Sequence, residues 1–217
     1  MLEKPDKRLA LQAYEQTLEL ILSGQAQPGD LINERQLCDV LDMSRTPVRD
    51  ALLMLESEGL LVRQGKRGMQ IRQLRVEDYL DTLQIRILLE PEMSRMAAGK
   101  ISREELCALR GQFEGMIANS GAGEVDRELV RNVDDRLHSL IADAAGNQQL
   151  SDIVRTLRRQ TQIFDLRSIP QRFIGTCEEH IAIIDALVAK HPVQAAEKMK
   201  DHLKAVRESI LNRLSNL

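Results

Sequence analysis

The sequence predicts a mainly α chain: a small three-helix unit closed by one β-hairpin at the N-terminus, then an all-α antiparallel helical bundle. Three observations predict it. Aromatic residues make up 2% of the chain and Trp is absent, so Leu, Ile, Val, Met and Ala must build the core, a palette suited to helix-on-helix packing. Apolar residues recur at three- and four-residue steps along almost the whole length, with Gly or Pro interrupting them. The stretch with strand character is short: Leu60-Leu61-Val62-Arg63 and Met69-Gln70-Ile71-Arg72 flank Gln64-Gly65-Lys66-Arg67-Gly68.

From Leu9 to Leu22, the apolar residues Leu11, Tyr14, Leu18, Ile21 and Leu22 keep the helical period, and Pro28-Gly29-Asp30 is turn chemistry that ends the segment. Asn33 is a good cap for a short second helix through Leu41, with Leu37, Val40 and Leu41 as its buried face. After the turn at Asp42-Met43, Ser44 can cap a third helix running to about Glu58, because its hydroxyl can accept from a first-turn N–H. Pro47 falls in that first turn, where a missing donor matters least. Val48, Leu52 and Leu55 form the inner face, and Gly59 closes the helix before the hairpin. Beyond Leu74 the pattern predicts six helices, roughly 76–98, 102–118, 124–144, 147–167, 171–189 and 192–215. Their breaks are Gly99, Gly121-Ala122-Gly123, Gly146-Asn147, Ser168-Ile169-Pro170 and His191-Pro192. The domains are therefore expected at 1–74 and 75–217.

A hydrophobic share of 43% with 29% charged residues is ordinary for a globular protein and excludes fibrous and disordered classes. The three cysteines, Cys38, Cys107 and Cys177, are dispersed, which suggests neither a disulfide framework nor a paired-cysteine metal site. No apolar run reads as a signal peptide or membrane span, so a cytoplasmic protein with no membrane partner is expected. A net charge of −3 argues against non-specific coating of nucleic acid. It leaves room for a sequence reader with a local basic surface, and Arg63, Lys66, Arg67, Arg72 and Arg75 supply one.

Two helices joined by a short turn and followed by a β-hairpin make a winged helix-turn-helix, which puts the second helix of the pair into a major groove. The start of that helix is Ser44-Arg45-Thr46-Pro47-Val48-Arg49. Arg45 and Arg49 are four apart and share a face from which guanidinium groups can reach base edges or phosphates. Ser44 and Thr46 can donate to phosphates beside the helix N-terminus, and Lys66 can meet the backbone from the hairpin.

All four histidines lie in the second domain. Asp134 and His138 are four apart on one helix, while His180 and His202 fall within the amphipathic patterns of two later helices. One Asp oxygen and three imidazole nitrogens suit zinc, with nickel or manganese as alternatives, and leave positions open for an exogenous ligand. Thr176, one turn before His180, can add a hydroxyl contact to such a ligand. His191, before Pro192, is expected at the surface.

Pro28-Gly29-Asp30, Asn33-Glu34-Arg35-Gln36-Leu37, Ser44 to Leu52 and Leu55-Glu56-Ser57-Glu58-Gly59-Leu60 closely resemble the signature of the GntR family of bacterial regulators. The resemblance implies operator-DNA contacts at Arg35, Arg45, Thr46 and Arg49 and at the wing tip near Gly68. At Pro47 some relatives carry a hydroxyl residue, so no contact is carried over there. Asp134-Asp135-Arg136-Leu137-His138, Ala145-Gly146-Asn147, Glu179-His180 and Met199-Lys200-Asp201-His202-Leu203 resemble the C-terminal ligand domain, FCD, of the FadR-like class. That resemblance implies metal binding by Asp134, His138, His180 and His202, and a small carboxylate effector held by the ion and by Arg86. Leu137 departs from the pattern, where an aromatic residue is frequent. For Arg86, an ion pair with Glu90 on the same helix stays open as the alternative, and Arg155, Arg158 and Arg159 fit pocket, interface or solvent equally.

The expected function is a homodimeric, sequence-specific transcriptional regulator, a repressor released from its operator by a small organic or sugar acid. A metal sensor shares every residue of this reading. A metal-dependent hydrolase would want a general base beside the ion, and Asp135 and Glu179 are turned off the ligand faces of their own helices.

Overall fold

The computed structural model describes residues 5–120, 126–165 and 172–215, and it divides into two compact units. The first comprises Met1–Tyr79 with Arg158–Ile169, the second Leu80–Leu157 with Pro170–Leu217. The expected breaks at Gly121-Ala122-Gly123 and Ser168-Ile169-Pro170 lie outside the described residues.

In the first unit, α1 (Pro5–Leu22) packs on α3 (Arg45–Ser57), and α2 (Glu34–Leu41) lies against α3. The buried stripe of α1 is Ala10, Ala13, Tyr14, Thr17 and Ile21, and Leu11 is 46% exposed. Of the apolar residues in the helical pattern only Leu11 lies off this face; alanines complete it, since Ala13 on α1 and Ala51 on α3 are fully buried, and small side chains let two helices approach closely. On α2 the expected inner face is also shifted. Val40 is 60% exposed, while Leu37, Cys38 and Leu41 join the core. Val48, Leu52 and Leu55 of α3 are buried as expected.

Asn33 caps α2 through its side-chain oxygen, which accepts from the N–H groups of Arg35 and Gln36. Asn33→Ala is expected to cost about 1 kcal/mol, read as a lower midpoint in urea denaturation with an unchanged slope. Ser44 stands at the N-cap of α3 but makes no capping hydrogen bond. Pro47 explains this correction. It is the third residue of the helix, so the N–H that a capping hydroxyl most often receives does not exist.

The hairpin strands, β2 (Leu61–Arg63) and β3 (Met69–Ile71), pair antiparallel with Leu61 opposite Ile71 and Arg63 opposite Met69. A single 3₁₀ turn, Gly65–Arg67, joins them, and Gly68 follows at φ 98°, ψ −149°, a conformation in which a Cβ is strained. A third strand was not expected. β1 (Leu31–Ile32) pairs with β3, giving the order β1-β3-β2, but two residues between a turn and a cap are too few to show an alternation. The end of a later helix, α7 (Gln148–Asp165), completes this unit, with Ile163 2% exposed in the same apolar cluster as Ile21, Leu55 and Ile71.

The second unit is all-helical: α4 (Val76–Ala97, from Leu80 on), α5 (Arg103–Asn119), α6 (Arg127–Ala145), the first part of α7, α8 (Phe173–Val188) and α9 (Pro192–Ser215). α8 packs on α5 and α9, and α6 on α5. Their shared core includes Leu106, Phe113, Leu137, Ile141, Ile184 and Leu203. Leu137, aliphatic where the resemblance leads one to expect an aromatic ring, is fully buried. Ser102 and Asp126 cap α5 and α6, and Gly146 ends α6 in the left-handed region. No helix among the described residues is long and apolar enough to cross a membrane.

Candidate functional site

Three helices of the second unit bring His138 (α6), His180 (α8) and His202 (α9) together. All three are buried, and one nitrogen from each can be chosen so that all lie within 4.8 Å of one another. The ring centroids are 4.4 Å apart for His180 and His202, 5.5 Å for His138 and His180, and 5.7 Å for His138 and His202. Asp134, one turn before His138, places Oδ1 3.1 Å from His180 Nε2 and 3.9 Å from His138 Nε2.

The outer nitrogens of two rings are engaged. His138 Nδ1 is 2.6 Å from Glu90 Oε2, and His202 Nδ1 is 3.0 Å from Glu179 Oε2. An ionised carboxylate only accepts, so each Nδ1 carries the proton and each Nε2 the lone pair, the tautomer a metal ligand needs. The carboxylates are held in turn. Arg86 Nε donates to Glu90 Oε1 at 2.5 Å with both side chains buried, and Arg172 pairs with Glu179. Burial works against the charge on Glu179, but its hydrogen bond from His202 and the neighbouring Arg172 outweigh it and hold the carboxyl below its usual range.

His180 is different, since both of its ring nitrogens are buried without a hydrogen bond. Asp134 is near enough but not aligned to accept from a ring N–H. A buried polar atom left this way costs about 1–3 kcal/mol, so the arrangement is unfavourable unless something else is coordinated. Burial, then the charge of His180, depresses the pKa of His202 to about 4, which keeps its ring neutral at pH 7. Burial, then Asp134, pushes the Cys177 thiol up to about 11, so it stays protonated and offers no thiolate. The donor set therefore fits a borderline divalent cation.

Sequence reasoning did not place Glu90 and Glu179 at this site. Glu90 is 48 positions from His138, and no spacing rule links them. Glu179 is turned off the ligand face of its own helix, yet it reaches a ring on the next one. Arg86 makes the Glu90 pair that the sequence left open, and so lies behind His138 through that carboxylate. Thr176 is half-buried on the first turn of α8, and His191 is exposed.

In the first unit Arg35, Ser44, Arg45, Thr46, Arg49, Arg67 and Gly68 are all exposed, and the Lys66 side chain lies outside the described part of the structure. Arg49 Nε donates to both carboxylate oxygens of Glu34, at 2.9 and 3.1 Å, tying the start of α3 to the start of α2. Glu34 was not singled out from the sequence, because no helical spacing joins it to a residue fifteen positions away. Two of the basic hairpin-region residues have acidic partners: Arg63 pairs with Glu56 and Arg75 with Asp78.

Residues 9–71 match the family of bacterial regulatory proteins called gntR, and residues 81–205 match the FCD domain family. The regulator YcbG of Bacillus subtilis (strain 168), described as HTH-type, is 34% identical over 94% of this chain and 91% of its own length. The solved structure of E. coli McbR/YncC shares the fold, with TM-score 0.80 and 20% identity over 95% of this chain and 98% of that one. The Zn²⁺-bound FCD domain of TM0439 is 25% identical, with TM-score 0.51, covering 67% of this chain and all of that domain. Matched families and relatives alike are transcriptional regulators rather than enzymes, which removes the hydrolase. GntR proteins bind operator DNA and FCD domains bind small effectors, and at least one FCD domain holds zinc. With both halves matched in the order the motifs predicted, the chain belongs to the GntR family of DNA-binding transcriptional regulators, as a FadR-like member carrying an FCD domain.

Proposed function

We propose that this regulator is a cytoplasmic homodimeric repressor whose grip on operator DNA is set by a small carboxylate metabolite docking at a metal in the FCD domain. The observation that carries the reading is His180: two buried ring nitrogens without a hydrogen bond, beside two rings whose carboxylate partners orient them as ligands. His138, His180, His202 and Asp134 would hold the ion. When bound, zinc supplies a Lewis-acid position for a carboxylate oxygen. The zinc-bound FCD relative supports zinc, with nickel or manganese as the other candidates.

Arg86 and Thr176 are assigned to the effector. Arg86 is a buried cation close behind the site through Glu90, and exchange of one carboxylate partner for another suits a guanidinium. The effector acts by binding one arrangement of the dimer better than the other, since a ligand without differential affinity shifts nothing. Arg35, Ser44, Arg45, Thr46 and Arg49, with Lys66, Arg67 and Gly68 of the wing, meet the operator in each half-site. Arg49 turns its Nε edge to Glu34, which leaves its terminal nitrogens for a guanine edge.

The test begins with an operator selected from a random-sequence duplex pool by the full chain. Gel shifts then compare chelated and zinc-loaded protein, each titrated with gluconate, lactate and citrate. At least a tenfold loss of operator affinity, confined to zinc-loaded protein with one acid class, is the expected result. Arg49→Ala should lose about 1–3 kcal/mol of discrimination between the operator and a single-base variant. An effect of zinc alone would make the ion the signal. No effect of either would end the effector reading.

A further inference from the structure

We infer that Arg159 and Gln160 are positioning residues for DNA reading: they clamp the C-terminal end of α3 and thereby set the direction in which its N-terminal residues meet the operator. The inference rests on the proposed reading role of Arg45, Thr46 and Arg49. Its geometry lies wholly within the first unit, to which residues 158–169 belong.

Glu58 caps the C-terminal end of α3, and three side chains converge on it. Arg159 Nη1 donates to both carboxylate oxygens of Glu58, at 2.9 and 2.8 Å. Tyr14 Oη donates to Oε2 at 2.8 Å, and burial, opposed by the charge of Arg159, raises the phenol above its ordinary range, so it remains a donor. Arg159 also lies over the Tyr14 ring, 5.6 Å from its centroid. Gln160 Nε2 donates to the backbone oxygen of Glu58 at 2.8 Å, satisfying a carbonyl that a helix end leaves without an internal partner. Arg159 and Gln160 share a helix face with Ile163, which is buried in the apolar cluster that includes Leu55 of α3. Gly59 completes the fit. Its φ is +71°, and a Cβ there would stand 3.2 Å from Gln160 Nε2.

These are not the loose contacts of an exposed ion pair. Glu58 and Arg159 side chains are 22% and 28% exposed, and Glu58 is held from three directions at once, by Arg159, by Tyr14 and by Gln160 on its backbone oxygen. α3 spans thirteen residues, about 20 Å of rigid rod, so a tilt of about 5° at its C-terminal end moves its first turn by more than about 1 Å. That displacement exceeds what a bidentate base contact tolerates. Phosphate contacts from flexible side chains survive it.

The full-length chain and two variants, Arg159→Ala and Arg159→Ala/Gln160→Ala, are to be titrated against a duplex selected by the wild type and a scrambled duplex of equal length. Circular dichroism fixes a temperature at which each is folded. Affinity for the selected duplex should fall about tenfold or more, with affinity for the scrambled one unchanged within about twofold. The charge exchange Glu58→Arg/Arg159→Glu should restore most of the loss seen in Glu58→Arg alone. If an alanine variant does not fold, Arg159→Lys, which keeps the charge but loses the planar group lying over the Tyr14 ring, should lower the same ratio. An unchanged ratio of selected to scrambled affinity in folded variants overturns the inference. A wild type that selects no sequence overturns the DNA reading itself, a distinguishable failure.

Discussion

Zinc should raise the melting temperature of the chain markedly, and His180→Leu should abolish that rise while leaving the chelated protein as stable as the wild type or more so. A ligand of the folded state alone contributes about 4 kcal/mol at a thousand times its dissociation constant. For a chain of this size that is a shift of roughly 8–16 °C. His180→Leu removes one of three imidazole ligands and keeps much of the buried volume. It also removes the two ring nitrogens that are buried without hydrogen bonds. Each such atom costs about 1–3 kcal/mol, so an apolar replacement in the chelated chain is neutral or stabilising. An ordinary hydrogen-bonded core histidine would behave in the opposite way. A zinc shift that survives His180→Leu, or a chelated variant several degrees less stable than the wild type, would remove the metal centre. The same site sets a pH dependence. The pKa of His202 is depressed from 6.5 to about 4 in the folded chain, so the unfolded chain binds the extra proton between those values. The chelated protein should therefore lose stability as pH falls through that window and hold it above.

Phe113→Ala should cost about 3–5 kcal/mol, the cost of emptying an aromatic site in a well-packed core. Phe113 is 1% exposed on α5, and its ring centroid lies 4.8 Å from that of His180. It thus fills the second unit's core and walls the imidazole cluster on one side. Phe113→Leu keeps more of the volume and should cost less. The check is a urea midpoint with unchanged slope, together with zinc affinity measured by calorimetry. Zinc binding should weaken in Phe113→Ala, because the His180 ring gains room to leave its place. A loss below about 1 kcal/mol would mean that the ring is not packed as described.

The imidazole cluster was partly legible because Asp134 and His138 obey a one-turn spacing, and because His180 and His202 sit on apolar faces where a solvated histidine would not. Its support was not. Glu90 and Glu179 act on rings of other helices, and a carboxylate's reach across a helix interface leaves no periodicity behind. Arg159, one of three arginines without a reading, became meaningful only once Glu58 and Tyr14 stood beside it.

What the sequence determined by itself is local: where helices start and stop, which residues flank the wing, and that two families' motifs follow one another along the chain. These follow from backbone preferences and from spacings within a few residues. Only tertiary structure decided that Ala10 and Ala13 join Tyr14, Ile21 and Leu22 in seating α1, that Val40 faces water, and that Ser44 goes without its capping bond. It also decided that a late helix closes the first unit's core and holds the end of α3. Such outcomes depend on the shapes of surfaces meeting across long sequence separations, where close packing selects one fit among many that the pattern allows.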